Sequence, residues 1–206
     1  MELRYLSTGM FESNCYVVGN NGEGIVIDPG AKASSIVKLV EEMKLDIKYI
    51  LLTHAHIDHM CYLDEARSML NARVMVHEAD APALSDEILN GSALFTIGMT
   101  FKEADILLQD RYSFEVGGMK FEIIHTPGHS PGSICIKTGN YLFTGDTLFR
   151  MSVGRTDLGK GSHRDLMNSI KNKLMVLDDN VVVYPGHGES STIAFERENN
   201  PFIRLG

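Results

Sequence analysis

Residues 53–59 read T-H-A-H-I-D-H, so His54, His56, Asp58 and His59 crowd into one short segment of a chain with 8 histidines in all. Imidazole nitrogen and carboxylate oxygen are the usual protein ligands of zinc, and of iron or manganese in hydrolytic sites. An open catalytic metal commonly takes three protein ligands and keeps a position for water. Four donors from one segment exceed that need, and the surplus points to two metals. Three glycine-rich stretches offer the rest: His129 in H-T-P-G-H-S-P-G (125–132), Asp146 in L-F-T-G-D-T (142–147) and His187 in V-Y-P-G-H-G (183–188). Glycine beside each donor lets the backbone turn sharply and approach closely. Structural zinc favours closed, cysteine-rich sites; this set has no cysteine and two carboxylates, so catalysis is the expected chemistry.

Each donor stretch follows an apolar run that can aim it. I-K-Y-I-L-L at 47–52 reads as a buried strand that ends where the histidine cluster begins. Strands are also expected at 14–18 and 24–30, joined as a hairpin, and at 72–77, 112–116, 120–125, 133–137, 141–144 and 181–184. Ile36, Leu39, Val40 and Met43 fall on one helical face within 33–45; Leu63, Ala66 and Leu70 mark a second helix. Leu166, Ile170, Leu174 and Leu177 mark a third. Residues 79–106 read less clearly, as a helix and a flap, and 87–105 fit either a lid over the site or a contact between two copies. The tail 189–205 reads as a short helix or cap. With no linker, repeat or low-complexity stretch, the pattern predicts one α/β domain over 1–206, with helices covering the outer faces of packed sheets.

The net charge of −8 argues against a nucleic-acid partner, which needs clustered Lys and Arg. Cys15, Cys61 and Cys135 are odd in number and lack a C-x-x-C pair, so no disulfide framework is expected. No signal-peptide pattern opens the chain and no apolar run reaches the ~18 residues of a membrane span, which predicts a cytoplasmic protein without a membrane partner. His77, His125 and His163 are expected to be structural, and Cys61 a buried free thiol. G-R-T-D-L-G-K-G at 154–161 falls short of a P-loop, because Gly161 stands where Ser or Thr must hold magnesium. Within it, Arg155 and Lys160 are candidates for attracting an anionic substrate.

Taken together, T-H-A-H-I-D-H, T-P-G-H-S-P-G, T-G-D, P-G-H-G and V-I-D-P-G (26–30) resemble the metallo-β-lactamase superfamily over nearly the whole chain. The resemblance implies an αββα sandwich of two mixed sheets with a dinuclear site at one edge. It implies that His54, His56 and His129 hold one metal, that Asp58, His59 and His187 hold the other, and that Asp146 bridges them. True β-lactamases of this fold lack the bridging aspartate, so Asp146 points away from antibiotic hydrolysis. S-N-C-Y-V-V (13–18), P-G-H-S-P-G-S-I and L-F-R-M-S-V-G-R-T-D-L (148–158) are most similar to the hydroxyacylglutathione hydrolases, or glyoxalase II, in a compact form without the C-terminal helical domain.

That resemblance implies hydrolysis of a small-molecule thiolester such as S-lactoylglutathione. The expected cofactors are two divalent ions, zinc first, with iron or manganese as alternatives. Asp146 and Asp58 would be the catalytic carboxylates, Asp58 steering the nucleophile's proton. Two readings compete: an oxidoreductase like the persulfide dioxygenases, which use a single iron, and a lactonase of the same fold.

Overall fold

In the computed structural model, which describes residues 1–204, twelve of the fourteen strands form two six-stranded sheets. The first contains β1 (Glu2–Ser7), β2 (Asn14–Asn20), β3 (Glu23–Ile27), β4 (Asp46–Leu51), β5 (Arg73–His77) and β6 (Ile106–Leu108), in that spatial order. The next strands in the chain, β7 (Ser113–Val116), β8 (Met119–His125), β9 (Ile134–Thr138) and β10 (Tyr141–Gly145), begin the second. A small hairpin of β11 (Leu148–Phe149) and β12 (Ser152–Val153) precedes β13 (Val182–Pro185) and β14 (Ser191–Thr192). The second sheet runs β14-β13-β10-β9-β8-β7. Both are mixed: β3 to β6 pair in parallel, as do β10 and β13, and the remaining pairs are antiparallel.

Side chains alternate across a strand, and here both faces are covered, so the strands read as continuous apolar runs. In the first sheet Tyr16, Val18, Ile25, Ile27, Leu51 and Met75 point inward to meet Phe121, Ile123, Ile134, Ile136 and Phe143 of the second. Their neighbours Cys15, Val17, Val26, Ile50, Val74 and Val76 point outward. They pack on α1 (Ala33–Met43), through Ile36, Val40 and Met43, and, beyond the one-turn α2 (Ile57–Met60), on α3 (Leu63–Leu70), through Leu63 and Ala66. After the single-turn α4 (Ser92–Phe95), α5 (His163–Ser169) runs into a π-helical turn at Ile170–Leu174. Leu166, Ile170 and Leu174 cover Cys135, Leu142 and Val183 on the far side of the second sheet. The chain closes with α6 (Ile193–Asn199) and α7 (Pro201–Arg204). Two sheets back to back with helices outside is the αββα sandwich expected from the sequence.

The expected strands and helices form, with differences at weakly patterned places. β1 has no apolar alternation, because most of its residues are exposed at a sheet edge. Residues 79–106 hold a 3-10 turn at Ala81–Ser85, α4 and mostly irregular chain in place of a longer helix. The tail is helical as anticipated, its last expected residue, 205, lying outside the described residues. Among the described residues no helix is long and apolar enough to cross a membrane.

Candidate metal centre

The parallel pairings bring the carboxyl ends of β3, β4, β5, β10 and β13 to one edge, and β8 ends there too. The loop after β4 delivers His54, His56 and, through α2, Asp58 and His59. His129 follows β8, Asp146 follows β10 and His187 follows β13. All seven expected donors therefore meet in space.

They form two groups. His129 Nε2 lies 2.8 Å from His56 Nδ1 and 3.2 Å from His54 Nε2. His187 Nε2 lies 3.2 Å from His59 Nε2 and 3.2 Å from Asp58 Oδ2. Asp146 stands between the groups, with Oδ1 3.3 Å from His59 Nε2 and Oδ2 3.5 Å from His129 Nε2 and 3.7 Å from His187 Nε2.

Hydrogen bonds on the outer sides of the rings show what the inner atoms are. His129 Nδ1 donates to the Arg155 carbonyl at 2.7 Å, and His187 Nδ1 to the Phe11 carbonyl at 3.0 Å. Thr53 Oγ1 gives its hydrogen to Asp28 Oδ2 and so accepts from His54 Nδ1 at 3.1 Å. Asp28 Oδ2 also accepts from His59 Nδ1 at 3.0 Å. With Nδ1 protonated, each neutral ring presents a bare Nε2 lone pair inward. The lone pairs of His54 and His129, facing one another at 3.2 Å, repel unless a cation lies between them. Asp146 Oδ1 is buried and accepts no hydrogen bond, which leaves it free for the same cation. The donor set fits a metal on each side of Asp146.

Charge in the metal-free protein follows this division. Burial, reinforced by the neighbouring imidazoles, holds His54 well below the usual histidine range; burial and His129 bring His56 down to about 4. Burial would lower His59 too, but Asp58, Asp146 and Asp28 outweigh it and hold it well above its ordinary value. Burial would raise Asp146, yet His59, His129 and His187 keep it below the usual carboxylate range. Burial thus favours the neutral form of His54 and His56, while the Asp58/His59/His187 group is held together by a proton on His59 that a cation would displace.

The supporting residues were not singled out from sequence. Asp28 sits in V-I-D-P-G, at φ 53° just past β3, and accepts from the Thr53 amide as well. Asp80, buried just past β5, accepts from the Ala55 amide (3.1 Å), Ser130 Oγ (2.6 Å) and the Gly132 amide (2.6 Å). It therefore ties the His54/His56 loop to the His129 loop. Asn14 Nδ2 donates to the carbonyls of Pro185 and Gly188, and Tyr16 OH to that of Pro185, fixing the His187 loop. A Cβ on Gly186 would lie 2.2 Å from Asp146 Oδ1, so only glycine fits there.

Five of the donors, His56, Asp58, His129, Asp146 and His187, open into a cavity of about 320 Å³. Residues 88–91, Leu94 and Phe95 form one wall, and Arg155 and Leu158 lie on its border. The Arg155 guanidinium makes two hydrogen bonds to Asp157 at the surface. Lys160 lies outside this cavity and lines a smaller one, about 150 Å³, that shares His56, Leu89, His129 and Leu158 with it. His77 and His125 stack 3.9 Å apart behind the His129 loop, and His163 is exposed at the start of α5. Cys61 is half-buried, more open than expected, because it follows the one-turn α2 at the surface; all three cysteines are free.

The chain is similar to known proteins. Haemophilus influenzae hydroxyacylglutathione hydrolase GloC is 31% identical over 98% of both chains, and the probable metallo-hydrolase YqgX of Bacillus subtilis is 35% identical over 98% of both. Among solved structures, BLEG-1, described as a B3 metallo-beta-lactamase, superposes with TM-score 0.93 at 38% identity over 98% of this chain and 99% of its own. TTHA1623 in a di-iron-bound form gives 0.86 at 32% over 97% and 99%. ETHE1 from Myxococcus xanthus gives 0.81 at 26% over 98% and 84%. A profile of the metallo-beta-lactamase superfamily matches residues 8–187, and with that match this chain belongs to the superfamily, whose members are metal-dependent hydrolases.

Proposed function

We propose that the protein is a dinuclear metal-dependent hydrolase of thiolesters. His54, His56 and His129 would hold one cation, Asp58, His59 and His187 the other, and Asp146 would serve both. The observation that carries this is the position of Asp146, whose two oxygens face different histidine groups while Oδ1 lacks any hydrogen bond. The di-iron form of TTHA1623 supports the metal count, and GloC supports the thiolester. Zinc is the first candidate, with iron and manganese suited to the same donors.

When bound, two such cations make hydroxide available near neutral pH and polarise a carbonyl oxygen. The chain's own part is to hold and orient. The bonds from His129, His187, His54 and His59 to Arg155, Phe11, Thr53 and Asp28 fix each ring's tautomer and direction. Asp58, whose Oδ2 lies 3.2 Å from His187 Nε2, would accept the nucleophile's proton. The thiolate is a good leaving group and needs no protein acid. Arg155 borders the cavity and Lys160 its neighbour, so both remain candidates for steering an anionic substrate.

The test is steady-state hydrolysis of a thiolester panel, S-lactoylglutathione included, by metal-loaded protein. The expected kcat/KM for its best substrate exceeds ~10⁴ M⁻¹ s⁻¹, within the ordinary enzyme range. His56→Ala and Asp146→Ala should each lower it by more than ~10²-fold and lose metal, since even outer-shell partners of a ligand are worth 10–100-fold. Wild-type turnover in either variant would remove the assignment. Similarity to ETHE1 favours persulfide oxidation as the second reading, and similarity to BLEG-1 bears on β-lactams. Oxygen uptake with a persulfide, or nitrocefin cleavage, in place of thiolester turnover would give the site to one of those.

A further inference from the structure

Resting on the hydrolase reading, we infer that the cavity selects substrates by an apolar acyl chain, which lies against the paired rings of Phe11 and Phe95. Apart from the five proposed ligands that line it, its side chains are aliphatic or aromatic, with two polar exceptions. Asn90 is buried and spends its amide inward, donating to the carbonyls of Ala83 and Met99 and accepting from the Ser92 amide. Arg155 is engaged by Asp157 through both Nε and Nη2. Among the described residues the one charged side chain that lines the space, apart from the proposed ligands, is Arg155, already paired with Asp157, so a multiply charged acyl group would lose water there without recovering a free partner. An alkyl or aryl chain would be stabilised by leaving water.

The walls are built for this. Leu94 and Phe95 come from α4, Ile88 and Leu89 from the chain before it, and Ile88, Leu94 and Phe95 stay exposed. Phe11 comes from the short turn after β1, and its ring meets that of Phe95 edge to face at 5.2 Å. Its backbone is left-handed, φ 55°, uncommon for a non-glycine residue. That same turn carries the carbonyl that accepts from His187. The apolar rim and the ligand set are thus joined at one residue, and a chain lying against the paired rings would occupy the same cavity that the donors line.

The probes are n-alkyl carboxylates from propanoate to octanoate, the products of acyl hydrolysis, titrated by calorimetry into metal-loaded protein. Alongside them, kcat/KM is measured for acetyl, butyryl and hexanoyl thiolesters of one small neutral thiol and for S-lactoylglutathione. Affinity should rise about threefold per methylene, on the order expected for partial burial of each group. Phe95→Ala should flatten that slope, and Phe95→Leu should restore much of it. A carboxylate series with no chain-length dependence would overturn the inference, whatever the turnover. Chain-length-dependent binding with no thiolester hydrolysis would support it while removing the hydrolase reading. Preference for S-lactoylglutathione over the hexanoyl ester would overturn it, as would a dimer broken by Phe95→Asp with a flat series, which would assign the rim to a second copy.

Discussion

At the scale of single residues, close approach decides what is allowed. The Cβ of alanine at 186 would meet Asp146 Oδ1 at 2.2 Å and His59 Cε1 at 2.7 Å. Gly186→Ala should therefore push the bridging carboxylate aside, lower metal content and cut activity by more than ~10²-fold, while costing only the ~1–3 kcal/mol typical of overpacking. Metal analysis beside a denaturant titration separates the two effects; full metal content in this variant would count against the bridge. The buried thiols give a pH prediction. Burial pushes Cys135 up to about 12, and Cys15 is raised as well, by burial and then by Asp28. A raised folded pKa means a contribution present below the unfolded thiol value of ~8.5 and lost as pH rises from there through the folded value. Stability should fall over that alkaline window, and Cys135→Ala should flatten part of the fall in pH-dependent urea titrations. An unchanged alkaline limb in that variant would show that the thiol does not contribute.

At the scale of elements, Asp80 holds two ligand loops in register. Asp80→Ala would strand the Ala55 and Gly132 amides in a buried place, at about 1–3 kcal/mol for each unpaired group. The expected loss is about 3 kcal/mol in metal-free protein, with weaker metal retention by the His54/His56/His129 group, and urea unfolding measures the first directly. A loss under ~0.5 kcal/mol would place that link elsewhere. The same scale shows what was legible in the sequence. The seven donors could be read because few residue types bind metal, four of them crowd into one short segment after an apolar run, and His129, Asp146 and His187 each sit beside glycine after another. The buried strands could be read because both faces are covered. Asp80 could not, since its three partners come from segments 25 to 52 positions away and meet only in the folded chain. β1 and the two-residue strands β11 and β12 carry too little apolar pattern to stand out. Residues 87–105 left a lid and an interface equally open; the structure makes part of them a cavity wall.

At the scale of the whole molecule, two mixed sheets share one apolar core, and the carboxyl ends of β4, β8, β10 and β13, gathered at one edge, deliver every proposed ligand there. The sandwich fixes where the loops start, and the hydrogen bonds of Asp28, Asp80 and Asn14 fix where they end. Their result is a site divided in two by one carboxylate. The central claim is therefore a number, and the direct measurement is metal content per chain after loading with zinc, iron or manganese and removal of the excess. The account predicts two ions per chain in the wild type and fewer in Asp146→Ala. One ion per wild-type chain with every metal offered would contradict it and favour the single-iron chemistry instead.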